Sequence, residues 1–330
     1  MRVERGEMKW RLGAFVCLVA VVGGLLDPAA VAASGCAGFE DGYEDYSVPL
    51  PDDVSVQDPR VRVILPTTYC DPGNHTEYPV VYLLHGVGDT YQTWVANTDV
   101  EVFAPGQGVI IVMPDGGKTP EAGWYSDWVD ESRQWETFHT KVLVDWVDET
   151  FRTSDDRAQR AVAGLSMGGF GAMSYAARHP QLFSVAASFS GFTNTMYGWP
   201  ASGFAFEAGR QQFGTPDDRV WGDHIEDEAE WRAHNPTDLV DDLAGTKLFI
   251  TTGTGTPGGE FGDAPANPGA YAIENFIWQI NVTFRQALDE AGVAYTDGSY
   301  PGGYNGWPYW EAALHWALPQ IAAEMAEDAD

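Results

Sequence analysis

The chain has 330 residues, of which 44% are hydrophobic and 20% charged, with 48 acidic side chains against 18 basic ones and a formal charge of −30. Such a composition can bury a large core and excludes a disordered chain. It also excludes a sequence-independent nucleic-acid binder and speaks against docking on an anionic membrane, since both need clustered Lys and Arg.

Arg2, Arg5, Lys9 and Arg11 precede a charge-free apolar run of 15 residues, Leu12 to Leu26. Asp27-Pro28 and the small residues Ala29-Ala30-Val31-Ala32-Ala33 follow. This is the pattern of a secretory signal peptide over residues 1–32, cleaved at Ala30-Val31-Ala32. The apolar run is shorter than the roughly 20 residues of a membrane span; an uncleaved anchor is the alternative. The expected destination is extracellular or the cell envelope. Cleavage would leave Cys36 and Cys70, and two cysteines in an exported chain favour one disulfide. The rival is a lipidated Cys36 behind the poor lipobox Ala33-Ser34-Gly35, with Cys70 a free thiol. Residues 33–59, acidic and aromatic, read as a mature N-terminal arm before a domain at 60–330.

Arg60 to Leu65 alternates like a strand before Pro66. Tyr78 to Leu84 and Val109 to Met113 are nearly continuous apolar runs, which suits strands buried on both faces. Trp135 to Phe151 has apolar residues at helical spacing. A short strand at Ala161 to Gly164 leads into a helix, Met167 to Arg178. Strands follow at Ser184 to Phe189, Lys247 to Thr252 and Val293 to Thr296, with helices at Ala270 to Ala291 and Pro308 to Glu324. This alternation predicts an α/β fold with a mostly parallel sheet covered by helices on both faces. Residues 192–245 interrupt it and read as an insertion over the C-terminal edge of the sheet, where ligands sit in such folds.

Gly164-Leu165-Ser166-Met167-Gly168 fits G-x-S-x-G between an apolar strand and a helix. A nucleophilic Ser on a strained turn with small neighbours needs that context, so Ser166 is the candidate nucleophile. The other reading is a Gly-rich helix start packed closely on the sheet. An oxyanion hole needs two backbone N–H groups. Met167, just after the Ser, supplies one. Val87, in His85-Gly86-Val87-Gly88 after the strand ending at Leu84, is the candidate for the other. His85 reads as a residue that shapes this loop rather than as a base.

With these residues in place the chain resembles the α/β-hydrolase esterases grouped with esterase D, and among them the antigen 85 mycolyltransferase branch most closely. The segments that carry the resemblance are Val81-Tyr82-Leu83-Leu84, Gly123-Trp124-Tyr125-Ser126-Asp127-Trp128 with Trp135-Glu136-Thr137-Phe138, the Ser166 motif, and Trp221-Gly222 through Asn235-Pro236-Thr237. Gly253-Thr254-Gly255-Thr256-Pro257 and Ile273-Glu274-Asn275-Phe276 complete them. They run in family order from about residue 60 to 320. The resemblance implies an α/β-hydrolase fold acting on acyl esters, with a glycolipid or carbohydrate as candidate partner and no cofactor. It implies Glu274 as the catalytic acid; by composition alone Glu260 and Asp263 are rivals.

The branch carries its catalytic His in a loop after the last strand. Here that loop reads Gly302-Gly303-Tyr304-Asn305-Gly306-Trp307, and Asn305 stands at the His position. An amide cannot take the Ser proton at neutral pH, so either another group serves as base, or the chain works slowly without one, or it is a non-catalytic relative that binds a carbohydrate or envelope partner. The candidates for a displaced base are His224 and His234 in the insertion; His75, His139, His179 and His315 read as loop or helix residues. The branch's Arg for trehalose is also missing, because the loop continues Gly88-Asp89-Thr90, so trehalose specificity is not implied.

No His or Cys spacing suggests zinc. Asp115-Gly116-Gly117-Lys118 lacks the spacing of a phosphate loop. Asp223, Glu226, Asp227, Glu228 and Glu230 lack the order of an EF-hand and read as a solvated acidic face. Trp124, Trp128, Trp307 and Trp310 read either as a sugar-stacking surface or as packing for the loop framework.

Overall fold

The computed structural model describes residues 36, 39, 41–118, 121–198, 218–262 and 268–327. The expected signal peptide, Asp263 and part of the expected insertion lie outside them. Eight strands form one sheet: β1 (Glu44–Ser47), β2 (Arg60–Ile64), β3 (Val80–Leu84), β4 (Ile110–Pro114), β5 (Arg160–Leu165), β6 (Val185–Phe189), β7 (Lys247–Thr251) and β8 (Tyr295–Asp297). Their spatial order is β1-β2-β4-β3-β5-β6-β7-β8. β1 and β2 pair antiparallel, as do β2 and β4, and every other pairing is parallel.

The apolar runs are central strands because both their faces are covered. Along β3, Val80, Tyr82 and Leu84 point into one core with Phe138 and Phe170, while Val81 and Leu83 point into the other with Leu314 and Leu318. Successive side chains of a strand face opposite ways, so one short segment joins both cores. The helix Met167–Arg178 packs on the first side and the helix Trp307–Glu327 on the second.

Two differences from the sequence expectation concern the edge of the sheet and the segment Trp135 to Phe151. The N-terminal arm contributes β1, whose Tyr46 pairs with Val61 and packs on Trp146 and Phe151, so the sheet begins before residue 60. A polar edge strand has no long apolar run to announce it. The expected helix Trp135 to Phe151 is a turn of α-helix (Trp135–Thr137), a π-helical segment (Phe138–Val142) and an α-helix (Leu143–Thr150). Within the π-helical segment His139 is buried and bonds Asp115 O and Tyr175 Oη.

Cys36 and Cys70 form a disulfide with Cα atoms 5.9 Å apart, so the Cys36 sulfur is not free to carry a lipid in this structure. The bridge closes a loop with a sequence separation of 34. Cys70→Ser is therefore expected to lower stability by about 4 kcal/mol in the loop-entropy model, read by urea unfolding. A loss below about 1 kcal/mol would mean that residual structure already restrains the unfolded chain without the bridge. Among the described residues no helix is long and apolar enough to cross a membrane.

Candidate active site

Ser166 is the single residue between β5 and the helix Met167–Arg178, with φ 51° and ψ −115°. Positive φ is costly for a residue with a Cβ. The turn is held there by hydrogen bonds from Ser166 N to Phe189 O (2.9 Å) and from Phe170 N to Ser166 O (3.1 Å). The Ser166 hydroxyl makes no capping bond to the helix it precedes. The two glycines of the motif are sterically required. A Cβ on Gly164 would lie 2.5 Å from Gly168 O, and one on Gly168 would lie 2.6 Å from Leu84 O and 2.7 Å from His85 O. Gly168→Ala must push the turn off β3. Its expected cost is about 1–3 kcal/mol of stability, together with loss of any Ser166 reactivity. Thermal unfolding and labelling by a serine-directed fluorophosphonate would check both, and unchanged values would mean that the turn can yield.

The loop after β3 lies against the same Ser. A Cβ on Gly86 would be 3.5 Å from Ser166 Cβ and 3.2 Å from Asp89 Oδ2. His85 shapes this loop, its Nδ1 donating to Gly86 O (2.8 Å) while its Nε2 accepts from Gly116 N (2.8 Å). Both ring nitrogens are thus engaged with backbone. The backbone N–H of Val87 belongs to this loop and that of Met167 to the first turn of the helix, where the helix dipole favours negative charge. Burial pushes the Asp89 carboxyl up, against the pull of His85 and a bond from the Gly86 backbone.

Glu274, on the helix Pro268–Ala291, is fully buried. Its Oε1 accepts from Ser190 Oγ (2.8 Å), Gly253 N (2.8 Å) and Thr252 Oγ1 (3.3 Å), and its Oε2 from Asn305 Nδ2 (2.9 Å). Burial raises the Glu274 carboxyl and these donors oppose the rise. Ser190, at the C-terminal end of β6, has φ 47°. Sequence reasoning missed Ser190 and Thr252 as partners of the carboxylate. Their one signal is a polar residue just past an apolar strand. Glu260 is exposed and makes no such contacts.

The histidines are dispersed. His139 is buried against Trp135 and held down to about 3 mainly by burial. His179 Nε2 bonds Glu136 Oε1 (2.7 Å), and Arg178 Nε donates to the same oxygen (2.8 Å). His234 is buried, stacked on Trp221, with Nε2 3.8 Å from Glu136 Oε2. It belongs to this core network and not to a lid over Ser166. His224 is half-buried in the turn before the helix Glu228–His234, and His75 is exposed. His315 bonds Asp99 Oδ1 (2.6 Å), and Glu311 Oε1 accepts from Asp99 N (2.9 Å). Among the described residues these last three are the one grouping with donors close enough to hold a metal ion, and the contacts between them already satisfy it as an ion pair. The acidic stretch is used locally: Asp223 Oδ1 accepts from Ile225 N and Glu226 N, and Glu228 pairs with Arg232.

Trp124, Trp128 and Trp310 are buried. Trp124 packs on Phe170, Phe192 and Trp221, and Trp307 on Trp94 and Trp310. They build the loop framework and form no open platform.

Residues 55–321 fit the model of a family described as esterase. Esterase Rv1288 of Mycobacterium tuberculosis (strain H37Rv) is 35% identical over 257 residues, covering 74% of this chain and 52% of that protein. The chain thus spans about half the length of that relative. The diacylglycerol acyltransferase/mycolyltransferase Ag85C of Mycobacterium avium is 29% identical over 319 residues, covering 93% of this chain and 86% of the relative. Among solved structures, Mycobacterium tuberculosis MPT51 (FbpC1) superimposes with a TM-score of 0.67 at 27% identity, covering 86% of this chain and 98% of the other. An S-formylglutathione hydrolase from Agrobacterium tumefaciens, at 19% identity and a TM-score of 0.60, shares the fold, with 86% and 94% of the two chains covered.

Proposed function

The chain belongs to the esterase family, and on that footing we propose that it is an exported serine esterase or acyltransferase acting on acyl esters. Ser166 attacks the acyl carbon, the N–H groups of Val87 and Met167 receive the oxyanion, and Glu274 is the acid of the site. The observation that carries this reading is the Ser166 backbone itself: a costly positive φ kept between two glycines, beside the Gly86 loop. Strain of this kind persists where the surrounding structure holds it, and it clusters at reactive positions. A basic, apolar and small-residue N-terminus supports export.

A second reading has its own observation. Asn305 Nδ2 donates to Glu274 Oε2, where the resemblance calls for an imidazole. On this reading the chain is a non-catalytic relative that binds a carbohydrate or envelope partner. Release of p-nitrophenolate from p-nitrophenyl acetate, compared with Ser166→Ala, separates the two. Release that depends on Ser166 supports the first reading. Equal release from both proteins sinks it in favour of the second.

A further inference from the structure

Attack on an acyl donor and release of the acyl group make different demands on Ser166. An aryl ester or thioester has an electrophilic carbonyl and a leaving group that departs as an anion. The acyl-Ser166 formed is an ordinary alkyl ester. Its hydrolysis needs a water proton removed during attack and a proton returned to the Ser166 oxygen, the tasks of one group acting as general base and then as general acid. Asn305 cannot perform them. Nor can Glu274, which is fully buried, with Oε1 filled by Ser190, Gly253 and Thr252 and Oε2 by Asn305.

We propose that this chain takes an acyl group from an activated aryl ester or thioester onto Ser166 and retains it as a long-lived ester. The inference rests on the reading of Ser166 as nucleophile. In the step, Ser166 Oγ bonds to the acyl carbon and the carbonyl oxygen carries the charge between the Val87 and Met167 N–H groups. The carbon–oxygen or carbon–sulfur bond to the leaving group breaks, and the phenolate or thiolate leaves with the electron pair. The Ser166 proton passes to water, so no further reactant is needed. The oxyanion hole and substrate binding together sustain acceleration of about 10³–10⁴ over water when the base is gone, which allows the first half of the cycle with an activated donor.

The test uses the purified full chain and p-nitrophenyl acetate at neutral pH, read by p-nitrophenolate release and by intact mass. The expected result is a burst approaching one equivalent, followed by a rate at least about 10²-fold lower. One acetyl group should then be found on the peptide holding Ser166 and be absent from Ser166→Ala. Hydroxylamine at alkaline pH, the condition under which it cleaves alkyl esters, should discharge the adduct from the denatured protein, and Asn305→His should convert the burst into turnover. Sustained turnover without an adduct overturns the retention while leaving Ser166 as nucleophile, and would turn the search for a base to Asp89, beside Gly86. An adduct equally present in Ser166→Ala overturns the proposal as non-specific acylation. Neither adduct nor turnover, in this chain and in a folded Asn305→His alike, overturns both the proposal and the nucleophile reading.

Discussion

Asn305→His is expected to raise ester hydrolysis by about 10²–10⁴-fold, the usual contribution of a positioned general base. The carboxylate half of the geometry for it exists already. The Asn305 backbone is fixed by its N–H bond to Ala270 O (3.1 Å), and its side chain reaches Glu274 Oε2 at 2.9 Å. An imidazole at that position donates one N–H to the carboxylate, which sets the tautomer and leaves the other nitrogen free as acceptor. The buried carboxylate then faces a group that can become cationic, and this stabilises the imidazolium formed during attack. The sign of the pH dependence follows. The neutral imidazole is the base, so the gained rate grows as pH rises through the imidazole pKa, about 6.5 before the neighbouring carboxylate shifts it upward. Tyr304 and Tyr309 pack closely around this loop, with ring centroids 5.0 Å apart, and a larger ring must share that space. A folded variant with a rate within a few-fold of the parent would mean that the oxyanion loop or Ser166 itself is not set for reaction.

Glu136→Gln is expected to cost about 3 kcal/mol at neutral pH. Burial by itself would raise this carboxyl, but His179, Arg178 and the more distant His234 hold it down to about 2, from a usual 4.5. One unit of pKa corresponds to about 1.4 kcal/mol, which gives the magnitude. The folded-state pKa lies below the unfolded one, so the stabilisation is fully present above about 4.5 and disappears as pH falls towards 2. Urea unfolding at a series of pH values should therefore show the parent losing its advantage over Glu136→Gln across that window. Apart from the one carboxylate removed, both proteins carry the same charges of the −30 chain, so their mutual repulsion very nearly cancels in the difference. A gap between the two that is flat with pH would mean that the substitution costs packing and not an ion pair. The network also joins distant segments. Arg178 Nη1 donates to Ala233 O (2.6 Å), tying the helix Met167–Arg178 to the helix Glu228–His234.

The Ser166 turn was legible because everything that makes it is local. A strand buried on both faces must be continuously apolar, a strained turn must have small neighbours, and a helix must follow to present its N–H groups. All three conditions fall between Arg160 and Arg178 and can be read without knowing what packs against them. The position of Asn305 was legible only through resemblance, since nothing in Tyr304-Asn305-Gly306 marks a site by itself.

The histidines show the opposite case. His234 and His224 share the interrupted segment 192–245, and sequence offers no reason to separate them. In the structure His234 stacks on Trp221 and faces the Glu136 network, with its pKa lowered by burial and by Arg178. Likewise Ser190 carries no mark beyond its place after an apolar strand, yet it donates to Glu274 across 84 positions of sequence.

The amino-acid sequence by itself determined the strand-and-helix alternation, the two-faced burial of the central strands and the Ser166 turn, because periodicity and glycine placement act within a few residues. Only the tertiary structure decided that Asn305 caps Glu274, that Ser190 and Gly253 saturate the other oxygen, and that Glu44–Ser47 joins the sheet. Those contacts depend on which strands become neighbours, and strand order is set by the packing of the whole sheet rather than by any short stretch of residues.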